Sequence, residues 1–151
     1  MKLMDFLIPE AIEPNLNSTN KTDAIRELVT LLKNTGAISD EASIAKVVLE
    51  REELGSTGIG EGIAVPHGKS DLVDKVIAAF GKSERGIDFE SETDDISVRL
   101  IFLLIAPEGS SGPHLLALAR ISRLLRSREF REKLIKAKSK SEIQDIFKSE
   151  E

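Results

Sequence analysis

Residues 97–106 read Ser-Val-Arg-Leu-Ile-Phe-Leu-Leu-Ile-Ala, apolar at eight of ten positions. A run this short cannot span a bilayer, which needs roughly 18 residues. A run this uninterrupted has no wet face, so as a strand it must be covered on both sides. Such a strand predicts an α/β (α+β) domain: a small mixed parallel/antiparallel sheet flanked by helices on both faces. The other segments supply the layers.

Residues 3–16 mix apolar side chains with Pro9 and Pro14 and predict a helical turn followed by an extended piece. Ser18-Thr19-Asn20 offers caps for a helix whose buried face is Ile25, Leu28, Val29 and Leu32, stopped at Asn34-Thr35-Gly36. A second helix is predicted from near Ser39, with Ile44, Val47 and Val48 buried and Arg51 extending that stripe. Lys75–Phe80 reads as a strand and Gly81–Asp95 as a polar connection. After a loop at Pro107–Gly112, a helix opens at Gly112-Pro113, where proline is tolerated, and carries His114, Leu118, Ile121 and Leu125. Ser127 caps the next helix, with Phe130, Leu134 and Ile135 buried. Ser139 and Ser141 compete to cap the last, which carries Ile143, Ile146 and Phe147. The expectation is one domain over residues 1–151.

Composition narrows the chemistry. Cysteine is absent, which excludes disulfides, thiolate metal sites and a cysteine nucleophile within the chain. A net charge of −5 with no Tyr and no Trp argues against a nucleic-acid surface. The arginines at 120, 123, 126, 128 and 131 are interleaved with core-type residues and read as a solvated helix face. With no membrane-length run and no signal peptide pattern, the reading is cytoplasmic, without membrane insertion.

The chemistry concentrates in residues 50–70, which hold five of the chain's ten glycines and one of its two histidines. Glycines let backbone approach a ligand and turn N–H groups toward an anion. Pro66 fixes the approach to His67, and Gly68 frees the backbone beyond it. Familiar motifs fail here. Gly62 to Gly68-Lys69-Ser70 has five intervening residues where a phosphate-binding P-loop has four, and Gly58-x-Gly60-x-Gly62 is not a dinucleotide fingerprint. Two histidines 47 residues apart do not make a zinc site. No G-x-S-x-G elbow is present. His67 as a nucleophile toward phosphorus remains, because a neutral imidazole accepts a phosphoryl group readily and the step demands mainly positioning and charge stabilisation. Candidate donors to the phosphoryl oxygens are the N–H groups near Gly68, the Ser56 and Thr57 hydroxyls, which alternatively only shape the loop, Arg51 and a helix N-terminus. His114 joins them if the central strand brings it beside His67. Ile59, Ile63 and Val65 would form a shallow apolar rim for a transient partner. The competing readings are a turn histidine satisfied by backbone for His67, a locally bonded first-turn residue for His114, and a surface ion pair for Arg51. Lys69 reads as solvent-exposed.

These residues resemble the enzyme IIA components of the bacterial phosphoenolpyruvate-dependent phosphotransferase system, of the fructose/mannitol type. That family's pattern is an acidic or amide residue, an aliphatic followed by Gly or Ala, then aliphatic-Ala-aliphatic-Pro-His and a small residue. It is matched in spacing by Glu52, Ile59, Gly60, Ile63-Ala64-Val65-Pro66-His67 and Gly68. Gly86-Ile87-Asp88-Phe89, Leu103–Pro107 and His114 to Ser122 are similar too, so the likeness covers nearly the whole chain. The resemblance implies a phosphotransferase/anion-transport-protein-like fold. It implies that His67 is the phosphoacceptor, supported by His114 and Arg51, and that it receives from the carrier protein HPr. From the failed motifs, no cofactor or metal is expected. The next partner would be an enzyme IIB, whose accepting cysteine must lie on another chain, or a regulatory target protein. The Gly55–Gly60 and His67-Gly68-Lys69 segments look more like the nitrogen-related regulatory branch; the sugar-specific branch is the alternative.

Overall fold

The computed structural model describes residues 1–150. A 3-10 turn at Leu3–Asp5 leads into β1 (Leu7–Glu13), α1 (Lys21–Asn34) and α2 (Glu41–Glu53). The glycine-rich segment holds three short strands, β2 (Gly58–Gly60), β3 (Ile63–Ala64) and β4 (His67–Lys69). The long strands β5 (Ile77–Ile87) and β6 (Val98–Ala106) follow, then α3 (Ser111–Leu125), α4 (Arg128–Lys136) and α5 (Lys140–Ser149).

The sheet runs β1-β5-β6-β3-β2, with β4 also paired to β6. β6 is antiparallel to β5 and parallel to β3 and β4, so the sheet is mixed, as the sequence predicts. β3 and β4 lie end to end along the same edge of β6, Ile63 opposite Leu100 and His67 opposite Leu104. Pro66 marks the break between them; lacking an N–H, it contributes only its carbonyl, which accepts from Leu104 N at 3.0 Å.

β6 shows why an unbroken apolar run is required. Leu100, Phe102 and Leu104 enter one core with Ala117, Ile121, Phe130, Leu134, Ile143 and Phe147 of α3, α4 and α5. Ile101, Leu103 and Ile105 enter a second core with Ile25, Leu28, Val29, Leu32, Ile44 and Val48 of α1 and α2. Successive side chains point to opposite faces, and both faces are helix-covered. Each fully buried side chain of this kind stabilises the fold by about 1.5–3 kcal/mol before entropy.

Four of the five helices start on a side-chain cap: Asn20, Asp40, Ser127 and Ser139 each accept from the backbone N–H three residues on. Thus Ser139, not Ser141, caps α5. Asp40 rather than Ser39 starts α2, its carboxylate also accepting from the Ser43 hydroxyl.

The structure corrects one expectation and adds two details. Residues 81–87 are not a connection but the second half of β5. Of the polar residues that suggested a loop, Glu84 and Arg85 are exposed but Lys82 and Ser83 are buried: Lys82 is 1% exposed and donates to the carbonyls of Ile135 and Ala137 at the C-terminal end of α4. A cation capping a helix C-terminus satisfies carbonyls that have no partner within the helix. His67 stands in a strand and not a turn, held by β6. Gly58–Gly60 forms a strand of its own, folded back on β3 through Gly60-Glu61-Gly62, all at positive φ.

Candidate functional site

Register along β6 decides which way the glycine-rich segment faces. His67 pairs with Leu104 and so shares its face, toward α3. Gly68 pairs with Ile105 and faces α2. Both consequences are visible. The His67 ring lies 5.4 Å from the His114 ring of α3, tilted by 54°. On the other face, a Cβ on Gly68 would stand 2.7 Å from Val47 Cγ1 of α2. The glycine that reads as backbone freedom in the sequence is there because a helix packs against it.

His67 is half-buried, and its Nδ1 lies 2.8 Å from the Val65 carbonyl oxygen. A carbonyl only accepts, so Nδ1 carries the proton in this contact, and in the neutral ring Nε2 keeps its lone pair. His114 is 7% exposed, and its Nδ1 has no hydrogen-bond partner among the described residues. Burial pushes its pKa below the usual histidine value, with the neighbouring His67 and Lys69 adding to the effect. Lys69 is half-buried rather than fully exposed, its ammonium 3.4 Å from the Ser111 hydroxyl in the first turn of α3. That turn has no side-chain cap: the Ser110 hydroxyl donates to the Pro107 carbonyl instead. The positive end of the α3 dipole therefore lies open on the His114 side of the site.

The other candidates sit at the other end of the segment. Arg51 follows Val47 by one helical turn on α2, and its guanidinium donates to the Gly55 carbonyl at 3.0 Å, holding the loop. The Ser56 hydroxyl donates to the Phe89 carbonyl at 2.6 Å, and the Thr57 hydroxyl to Glu52 at 2.6 Å. Each hydroxyl has a single proton, so both are committed to shaping the loop. Of the expected apolar rim, Ile63 and Val65 are buried at 3% and 4%, while Ile59 is 43% exposed. The exposed apolar residues beside the site are Leu54, next to the loop, and Leu115 and Leu116, directly after His114.

Sequence reasoning passed over two participants. Glu52 sits among Glu50 and Glu53 and reads as surface charge, yet it is 5% exposed and accepts from both the Thr57 N–H and hydroxyl. Lys21, 31 residues upstream, approaches the same carboxylate at 3.7 Å. The one signal available was the acidic position that opens the family pattern.

Known proteins place this arrangement. The family described as phosphoenolpyruvate-dependent sugar phosphotransferase system, EIIA 2, matches residues 5–150. A nitrogen regulatory protein of Bradyrhizobium diazoefficiens is 42% identical over 148 residues, covering 97% of this chain and 95% of that protein. The fructose-specific EIIABC component of Bacillus subtilis is 41% identical over 147 residues, covering 97% of this chain but only 23% of that much longer protein. Among solved structures, the nitrogen regulatory protein IIA-Ntr from Neisseria meningitidis superposes with a TM-score of 0.86 at 29% identity, covering 95% of this chain and 97% of that one. Enzyme IIA for mannitol from Escherichia coli, solved in complex with phosphorylated enzyme IIB, gives 0.79 at 26% identity, covering 93% and 95%. The mixed sheet, the helices on both faces and the sequence match agree: the chain belongs to the EIIA type 2 family of the phosphoenolpyruvate-dependent phosphotransferase system.

Proposed function

We propose that His67 is the phosphoacceptor of a cytoplasmic EIIA domain spanning residues 1–151, charged by the carrier protein HPr, and that its phosphorylation state is read by a regulatory partner. The observation that carries this reading is the His67 Nδ1 contact to the Val65 carbonyl, which leaves Nε2 as the nucleophilic nitrogen. In the transfer, the Nε2 lone pair forms the new bond to phosphorus. The donor histidine's N–P bond breaks, and its electron pair returns to the donor ring. Nδ1 keeps its proton, and the Val65 carbonyl stabilises the positive charge gained by the His67 ring.

His114, kept neutral by burial, offers an N–H to a phosphoryl oxygen from a ring 5.4 Å away. Lys69 and the uncapped start of α3 add positive potential for the incoming anion. Arg51 acts through the loop it holds at Gly55. Leu54, Ile59, Leu115 and Leu116 suit a small, short-lived encounter surface for HPr.

The regulatory reading is supported by the match along almost the full length of the Bradyrhizobium protein. The phosphoryl group carries about two negative charges, a net change of about one once the ring's positive charge is counted, and this alters the site's attraction for a partner. The second reading, delivery to a cysteine of a separate enzyme IIB, is supported by the fructose-specific relative and by the mannitol IIA–IIB complex.

The test is intact mass after incubation with phosphoenolpyruvate, enzyme I and HPr. One acid-labile phosphoryl adduct on the wild type and none on His67→Ala is the expected result. Wild type without an adduct, beside an active control IIA, overturns it. Subsequent loss of the adduct to an added IIB would favour the sugar branch.

A further inference from the structure

Glu52 does not touch either histidine, yet it begins an unbroken series of contacts that ends on His67. Its carboxylate accepts from the Thr57 N–H at 3.1 Å and from the Thr57 hydroxyl at 2.6 Å. The Thr57 carbonyl accepts from the Val65 N–H at 3.0 Å. The Val65 carbonyl accepts from His67 Nδ1 at 2.8 Å. Glu52 and Thr57 are each 5% exposed and Val65 is 4% exposed, so water does not compete for these groups. Lys21 lies 3.7 Å from the carboxylate and offsets the cost of burying it.

We propose that Glu52 is the positioning residue of the phosphoacceptor: through Thr57 and Val65 it sets the Val65 carbonyl that selects the His67 tautomer with Nδ1 protonated and Nε2 bare. The inference rests on the reading of His67 as the phosphoacceptor.

The geometry supports a positioning role over a merely structural one in three ways. The C-terminal end of α2 is already served by the Leu54 and Gly55 N–H groups, which donate to the Arg51 and Glu52 carbonyls. An acidic group seated at a helix C-terminus opposes the helix dipole, so Glu52 is poorly placed for the stability of its own helix. And the connection passes through β2 and β3 at their pairing, Gly58 opposite Ala64, so a shift of Thr57 must move Val65. Pro66 then fixes φ between Val65 and His67, leaving little freedom to absorb the shift before the ring. The relay passes through separate peptide groups, so it transmits position and not charge.

The test compares Glu52→Gln, Thr57→Val and Thr57→Ser with wild type, and uses Glu53→Gln, an exposed neighbour, as control. Imidazole nitrogen shifts of His67 in ¹⁵N-labelled protein report the tautomer without any phosphorylation. Glu52→Gln keeps the volume but loses one acceptor oxygen, and Thr57→Val keeps the shape but loses the hydroxyl. Both should shift His67 away from the single Nδ1–H tautomer. Both should also lower kcat for transfer from phospho-HPr by about tenfold, a modest positioning loss, with KM for the donor unchanged. Thr57→Ser should restore both readouts. Folded Glu52→Gln and Thr57→Val proteins with the wild-type tautomer and kcat overturn the proposal. If Glu52→Gln does not fold, Thr57→Val against Thr57→Ser decides by the same criteria, and loss of kcat with an unchanged tautomer also counts against it. Failure of the wild type to accept a phosphoryl group would refute the acceptor reading, whereas the tautomer comparison would still judge the role of Glu52.

Discussion

Gly68 and Val47 meet where α2 crosses β4, so closely that a Cβ on Gly68 would lie 2.7 Å from Val47 Cγ1. The contact fixes the residue next to His67 from the face opposite His114. Val47 is β-branched and stiff at χ1, so it cannot swing aside cheaply.

Gly68→Ala is therefore expected to destabilise the fold by about 1–3 kcal/mol, the usual cost of overpacking. Val47→Ala placed in the same chain should recover a large part of it. Urea unfolding of the two single variants and the double variant measures the coupling. Additive effects would mean that the close approach is not what requires glycine.

Lys82 predicts a different loss. Removing its ammonium leaves the Ile135 and Ala137 carbonyls without their donor. Lys82→Ala should cost about 2–4 kcal/mol, combining unsatisfied polar groups with a cavity. Lys82 pairs with Leu100, four residues along β6 from the Leu104 that pairs with His67. Phosphoryl acceptance should accordingly survive under conditions where the variant is folded. Unfolding midpoints and adduct yield, measured side by side, check both halves.

The pKa of His114 is lowered by burial first and by His67 second. Its unfolded-state value is ordinary, about 6.5. The unfolded chain thus takes up the proton first as pH falls, and stability present above about pH 6.5 is lost as pH drops through the lower, folded value. NMR titration should find His114 below the ordinary value in the wild type, and His67→Ala should raise it partway. A wild-type His114 titrating at or above the ordinary value contradicts the site as described.

Leu115, exposed beside His114, offers a test of docking. Leu115→Asp is expected to raise KM for phospho-HPr by about tenfold, as one lost anchor in a small interface would, while leaving the His67 tautomer alone. An unchanged KM would remove that residue from the encounter surface.

Much of this architecture was legible in the sequence because it follows from periodicity. The unbroken run at 97–106 required two covered faces, and Ser127 announced a helix start, while the caps of α1, α2 and α5 were legible only to within a few residues: Asn20 among Ser18–Asn20, Asp40 beside Ser39, and Ser139 against Ser141. The glycine-rich segment was legible as candidate chemistry but not as geometry. Nothing local says that Pro66 divides one strand edge into β3 and β4, because the ruler is β6, more than thirty residues away in sequence. Lys82 and Glu52 misled for one reason: a charged residue looks solvated until its partners are known, and those of Lys82 are backbone carbonyls while those of Glu52 are the Thr57 N–H and hydroxyl and the distant Lys21.

The measurement that bears most directly on the central claim is the site of the phosphoryl group on ¹⁵N-histidine-labelled protein, read by ¹⁵N–³¹P NMR after charging through HPr. The structure predicts one phosphoryl group, on Nε2 of His67, with Nδ1 still protonated and bonded to the Val65 carbonyl. A phosphoryl group on Nδ1 of His67, or on His114, would contradict the account.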